Sequence, residues 1–181
     1  WLSGGGYTGD RAAVAAALER YNRALGADEA ALANARLLGR PGTLAAVTGQ
    51  QAGIMTGPAY TVYKAMTTIR LARLQSERLG APVVPVFWIA GEDHDWHEVS
   101  WVMVPVGTEA RRLALTERFD RERRSVALAP MPPSVEGVID EFAALMPDTE
   151  FKAEVVARLR EAAAAGPALD PAATGGAPSL A

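Results

Sequence analysis

The stretch TLAAVTGQQAGIMTGPAYTVYKAMTTIRLARLQSERLGAPVVPVFWIA, residues 43–90, decides how this chain is read. Residues 43–48 form a short run suited to a strand, and Gly49, Gly53 and Gly57 break it directly afterwards. Pro58 then fits the first turn of a helix, where its missing N–H costs nothing. Val62, Ala65, Met66, Ile69, Ala72 and Leu79 carry one apolar stripe as far as Gly80, a residue placed to end the helix. Residues 83–90, VVPVFWIA, are almost wholly apolar, the pattern of a strand buried on both faces of a parallel sheet. Pro85 is tolerated near the start of such a strand, where one ladder hydrogen bond is lost. Strand, long helix and strand make a βαβ unit with a right-handed crossover, so the chain is expected to be α/β.

Upstream, Asp10 caps an amphipathic helix whose apolar positions are Val14, Leu18, Tyr21 and Leu25, stopped by Gly26. An alanine-rich helix follows over residues 28–38 and ends at Gly39 and Pro41. Downstream, residues 99–106 and 113–115 read as further strands of a mixed sheet. Residues 130–133 form a proline-rich connection, and helices are expected over 135–146 and 149–165. The small, Pro- and Gly-rich residues 168–181 read as disordered. The resulting division is 1–42 for the N-terminal helices, 43–108 for the sheet segment, 109–166 for a helical connecting region and 167–181 for the tail.

Composition narrows the function. With 181 residues, 49% of them hydrophobic and 22% charged, the chain has the make-up of one globular domain. A formal charge of −3 lacks the basic excess of a nucleic-acid binder. Arg111, Arg112, Arg118, Arg121, Arg123 and Arg124 cluster, but Glu109, Glu117, Asp120 and Glu122 interleave with them, which reads as a solvated mixed-charge face. With no cysteine, disulfides, thiolate metal sites and a cysteine nucleophile are all excluded. No apolar run is long enough to span a bilayer and no secretory signal opens the chain, so a cytoplasmic location is expected. Trp1 stands where a start methionine would, and the sequence is expected to be a fragment.

Two segments carry the chemistry, because ligands of an open α/β sheet bind beyond the carboxyl ends of its strands. The first runs from Gly49, Gln50 and Gln51 through Gly57 and Pro58 to Tyr60 and Lys64. Glycines let backbone N–H groups approach an anion, glutamine amides both donate and accept, and Tyr60 and Lys64 share a helix face at i, i+4. A tight strand-to-helix turn with a solvent-facing lysine explains the same residues at even odds, and no P-loop signature is present. The second segment, Glu92-Asp93-His94-Asp95-Trp96-His97-Glu98, gathers four acids and both histidines of the chain in seven residues. His94 oriented by Asp93 or Asp95 suits proton transfer near neutrality. Metal ligation by His94 and His97 is the weaker alternative, since the spacing matches no strong zinc signature. A solvated acidic loop is the plainest reading. Trp88, Trp96 and Trp101 read as core or pocket walls.

Read together, VTGQQAGIMTGPAYTVYKAMTTIRLA (residues 47–72) and PVVPVFWIAGEDHDWHEVSWV (residues 82–102) resemble the hallmark segments of the bacillithiol cysteine-adding family, BshC. The resemblance implies a Rossmann-like parallel-sheet core with flanking helices, related to nucleotidyltransferases and class I synthetases and only partly contained in this chain. It implies ligation of cysteine to glucosaminyl-malate through an amide, with an adenylate or phosphate of cysteine if ATP is used, and a coiled-coil homodimer for the complete protein. It assigns Gly49, Gln50, Gln51, Gly57, Pro58, Tyr60 and Lys64 to the active-site loop, and Glu92, Asp93, His94 and Asp95 to the second hallmark. Lys64 would then stabilise negative charge while His94 and its carboxylates handle the amine proton. Two other functions compete: an adenylating domain with another substrate, against which the missing HIGH-type signature counts, and a non-catalytic remnant that binds an anion or a partner.

Overall fold

The computed structural model describes residues 9–118, 125–126 and 129–164. The chain divides into two compact units, Trp1–Gly49 with Tyr63–Trp88, and Gln50–Val62 with Ile89–Ala181. The β3–β4 hairpin described below spans residue 108, where sequence placed a boundary.

The first unit opens with α1 (Arg11–Ala24) and α2 (Glu29–Leu38). Both start as expected: Asp10 accepts from Ala13 N at 3.0 Å and Asp28 from Ala31 N at 2.8 Å, each satisfying an orphan donor of the first turn. The face that packs differs from expectation. Val14, Tyr21 and Leu25 are exposed, whereas Ala15 is buried, as are Leu32 and Ala35 of α2. Small side chains allow close approach, and a Cβ placed on Gly39 would meet the Ala15 Cβ at 3.2 Å. The Arg11 guanidinium donates to Leu38 O at 3.3 Å and Thr43 O at 3.0 Å, fixing the path into β1 (Leu44–Gln51).

β1 pairs with β2 (Val83–Ala90) in a two-stranded sheet. Leu44 N donates to Pro82 O and Gly49 lies against Trp88, so both strands advance together and the pair is parallel. Between them α3 (Tyr60–Leu79) supplies the crossover, ending before Gly80 at φ 61°. Strand, helix and strand are as the sequence predicts.

Burial of these elements is not. Val62, Met66, Ile69 and Leu79 are exposed, while Thr68 and Ala72 are the buried residues of α3. Hydroxyls explain how a polar face packs: Thr68 Oγ1 donates to Lys64 O at 2.8 Å, and Ser76 Oγ accepts from Val83 N at 2.8 Å. Nor is the sheet covered on both faces. Val84 is buried, but Val47 and Trp88 are 65% and 59% exposed.

The second unit holds the ends of both strands, a single 3-10 turn (Ile54–Thr56), α4 (Trp96–Val99), β3 (Trp101–Val106), β4 (Glu109–Ala114), α5 (Val135–Leu145) and α6 (Lys152–Ala164). β3 and β4 pair antiparallel from Trp101 opposite Ala114 to Val106 opposite Glu109, with Gly107 at φ 62° in the two-residue turn. They form a sheet of their own, which corrects the expected mixed sheet. Alternation along a strand reveals its faces and not which edge it pairs with. Trp96, Val99, Val104, Leu113, Leu115 and Val138 form the core of this unit. Glu117 ties the hairpin to α5, accepting from Ser134 N at 3.1 Å and pairing with Ser134 Oγ.

Of the mixed-charge cluster, residues 120–124 lie outside the described residues, and so does the expected tail at 167–181. Arg111 pairs with Glu141 at 3.7 Å, both side chains largely exposed, as a solvated face requires. Among the described residues no helix is long and apolar enough to cross a membrane.

Candidate functional site

Each hallmark segment begins where a parallel strand ends. In the first unit, β1 passes β2 so closely at Gly49 that an added Cβ would lie 2.9 Å from Trp88 O and 3.1 Å from Trp88 Cβ. Only glycine lets the two backbones approach this way. Lys64 Nζ donates to Gly49 O at 3.2 Å, so its ammonium is directed at the peptide that closes the strand.

In the second unit the chain leaves β1 through a strained turn. Met55 and Thr56 have φ of 51° and 70°, and Gly57 follows at 68°. Two adjacent non-glycine residues in the left-handed region are costly, and such strain gathers at ligand sites. The turn brings Gly53 so near Gly57 that a Cβ on Gly53 would sit 3.1 Å from Gly57 Cα.

Gln51 and Asp93 join the two segments of this unit: Gln51 Nε2 donates to Asp93 Oδ2 at 2.7 Å. The other carboxylate oxygen, Oδ1, accepts from His94 N at 2.7 Å and Asp95 N at 3.4 Å. Asp93 thus holds the acidic turn in shape, and its carbonyl accepts from Val126 N at 2.8 Å. His94 Nδ1 lies 3.7 Å from Asp93 Oδ1, an ion-pair distance beyond hydrogen-bond reach, with both side chains about half exposed. An imidazole so placed can exchange a proton with a ligand or with water. No three His, Asp or Glu side chains converge into a metal-holding group among the described residues.

A pocket of about 330 Å³ lies beside the strained turn, lined by Gln50, Gln51, Gly57, Pro58 and Tyr60 of the first segment. Opposite them stand Glu98, at the end of the acidic run, and Trp101 with Val102 and Met103 of β3. Glu92, Asp93, His94 and Asp95 are not in its lining. Sequence does not place Glu98 and Trp101 beside the glutamines. Glu98 closes the seven-residue acidic run and Trp101 reads as a pocket wall from sequence, but the one-turn helix α4 that carries Glu98 and leads into β3 leaves no periodic signal. Of the other tryptophans, Trp96 is buried in the core and Trp88 is exposed.

The model of the bacillithiol biosynthesis BshC N-terminal Rossmann-like domain matches residues 3–174 of this chain. The chain belongs to the BshC family. Among curated BshC relatives, a Symbiobacterium thermophilum protein named "Putative cysteine ligase BshC" is 84% identical over the whole chain, which covers 33% of that relative. A protein of the same name from Heliobacterium modesticaldum is 37% identical over 78% of the chain and 27% of its own length. One from Geobacillus kaustophilus is 44% identical over 65% of the chain and 22% of its own length. The chain therefore spans a third or less of these BshC relatives, and the βαβ unit with its flanking helices is part of the family's Rossmann-like domain.

Proposed function

We propose that this chain supplies the first part of a cysteine ligase of bacillithiol synthesis, joining the carboxyl of cysteine to the amine of glucosaminyl-malate. Beside family membership, the observation that carries this reading is the Gln51–Asp93 hydrogen bond, which unites the two hallmark segments beside a pocket sized for a small metabolite. The reaction forms one C–N bond as the acyl C–O bond to the activating group breaks and that group leaves with its electron pair, and it needs a neutral amine that gives up one proton on attack. His94, exposed and next to Asp93, is the group we assign to the amine proton. Gln50, Gln51, Gly57 and Tyr60 bind substrate, and Lys64 fixes the first turn through Gly49 O.

We take ATP as the co-reactant that activates the carboxyl. The pocket does not suit a triphosphate, since no Lys or Arg is in its lining among the described residues, so no step at this pocket is routed through ATP. A cytoplasmic location and a homodimer at the relatives' full length complete the proposal.

The test is a polypeptide carrying this sequence and extended to the relatives' length, supplied with cysteine and glucosaminyl-malate, with and without ATP. Mass spectrometry should detect the amide product, and bacillithiol should vanish from cells when the gene is removed. Unchanged bacillithiol after removal would overturn the assignment. An adenylating domain with another substrate would instead consume ATP without cysteine.

A further inference from the structure

We propose that the pocket between the glutamine turn and β3 recognises the α-ammonium of the amino-acid substrate, with Glu98 as its counter-ion and Trp101 as its aromatic wall. The inference deepens the ligase reading and rests on it, since that reading supplies an amino acid as substrate. It replaces the anion cradle that the glycines suggest from sequence.

The lining decides the sign of the ligand. Among the described residues Glu98 is the one formally charged member of the lining, and the rest is amide, phenol, indole, aliphatic side chain and glycine backbone. The Glu98 carboxylate makes no ion pair or hydrogen bond among the described residues. An exposed carboxylate is ordinarily just solvated. This one lies in a concave pocket with Tyr60 and Trp101, a setting in which aromatic faces add attraction for a cation and displace water from it. The Arg112 guanidinium stacks 4.9 Å from the Trp101 ring centroid and is not in the lining. Among the described residues the pocket consequently offers an anion no charged partner and offers an ammonium three kinds: a carboxylate, π faces and amide oxygens of Gln50 and Gln51.

Chemistry then selects between the two amines of the proposed reaction. The sugar amine must lose its proton to attack, so a carboxylate that favours the protonated form would oppose catalysis there. The α-amine of cysteine takes no part in forming the amide and stays protonated throughout, so it serves as a handle. Val102 and Met103 provide an apolar wall on which a thiol side chain can rest.

The experiment is titration of the chain, followed by backbone amide NMR shifts at residues 50–60 and 98–103, with L-cysteine, cysteamine, N-acetyl-L-cysteine, 3-mercaptopropionate and D-glucosamine. L-Cysteine and cysteamine should shift these resonances, whereas N-acetyl-L-cysteine and 3-mercaptopropionate, which lack the ammonium, should not. Glu98→Gln should weaken cysteine binding about tenfold or more, with an unchanged melting profile because the side chain is exposed. Equal binding of N-acetyl-L-cysteine, or unchanged affinity in Glu98→Gln, overturns the ammonium assignment. Tighter Glu98-dependent binding of glucosamine than of cysteine overturns its assignment to the amino acid. Amide product formed by an extended Glu98→Gln protein with an unaltered KM for cysteine sinks this proposal and leaves the ligase reading intact. Ammonium binding without any amide product does the reverse.

Discussion

Gln51 and Asp93 stand 42 residues apart in the chain and 2.7 Å apart in space, amide nitrogen to carboxylate oxygen. The bond is partly buried and its acceptor is charged, so its loss is expected to cost about 1–2 kcal/mol. Gln51→Leu should lower the melting temperature by a few degrees, and a double-mutant cycle with Asp93→Ala should show coupling of about 1 kcal/mol. Additive effects of the two substitutions would mean that the contact contributes nothing. Asp93→Ala should be the worse single change, because all three donors aimed at this carboxylate then lose their acceptor.

His94 and Lys64 separate catalysis from structure. With its side chain 57% exposed, His94 should be replaceable by alanine without loss of stability. In a protein extended to the relatives' length, His94→Ala should reduce turnover by ~10²–10⁴, the usual effect of removing a general base. Lys64→Ala deletes the bond to Gly49 O and should lower stability by about 1 kcal/mol. Full turnover in His94→Ala would return the acidic segment to the role of a structural turn.

What the sequence reveals here is what local chemistry dictates. The cap Asp10 lies where expected, because an N-cap depends only on its own turn, and Asp28 caps the second helix by the same local bond. The meeting of Gln51 with Asp93 follows from parallel strands, which deliver successive loops to one end of a sheet. The buried face of α3 differs from the apolar stripe because periodicity identifies a stripe and not its partner. Met66 and Ile69 continue that stripe in exposed positions, while Thr68 and Ser76 bury their hydroxyls through bonds a hydropathy count ignores. Sequence places Glu98 in the acidic run but not in the pocket, because that placement depends on the one-turn helix α4 and on the left-handed backbone at Met55 and Thr56.

Gly49 should tolerate no side chain. The Cβ of Gly49→Ala would meet the backbone oxygen of Trp88 at 2.9 Å, and backbone cannot move aside as a flexible side chain can. The strands must part or slip, at a cost of about 1–3 kcal/mol. Chemical denaturation should register that loss, and hydrogen exchange should locate it along β1 and β2. Gly80→Ala, at φ 61° with nothing within 4 Å, should cost only about 1 kcal/mol from its backbone conformation.

Glu117 gives the second unit a measurable acid sensitivity. Its hydrogen bond from Ser134 is the largest influence holding its carboxyl below the ordinary value of 4.5. A depressed folded-state pKa means that the ionised bond contributes fully above the unfolded value and is lost as pH falls through the folded one. Ser134→Ala should therefore destabilise most at neutral pH, and its penalty should shrink as the medium is acidified below about pH 4.5. A residual pH-independent penalty should persist, because Ser134 Oγ also accepts from Thr116 N at 3.2 Å. A penalty that stays constant between pH 7 and pH 3 would show that the bond does not depend on the charge of Glu117.

Within the first unit, Tyr63, Met66 and Ile69 of α3 are 68%, 61% and 54% exposed. Spaced three residues apart, they present large side chains along a helix whose buried face is taken up by Thr68 and Ala72. Apolar surface of this kind drives association when it meets water, at roughly 25 cal/mol per Å² of surface removed on contact. The 181-residue chain should accordingly bind a hydrophobic dye and show concentration-dependent association in light scattering. Met66→Lys with Ile69→Glu should suppress both without lowering the melting temperature, since neither side chain contributes to the buried face. The same pair placed in a protein extended to the relatives' length should be harmful, if further polypeptide covers this stripe there. A chain that stays monomeric at high concentration and binds no dye would show that the exposed stripe is an ordinary solvated surface, and the paired substitution would then change nothing in this chain.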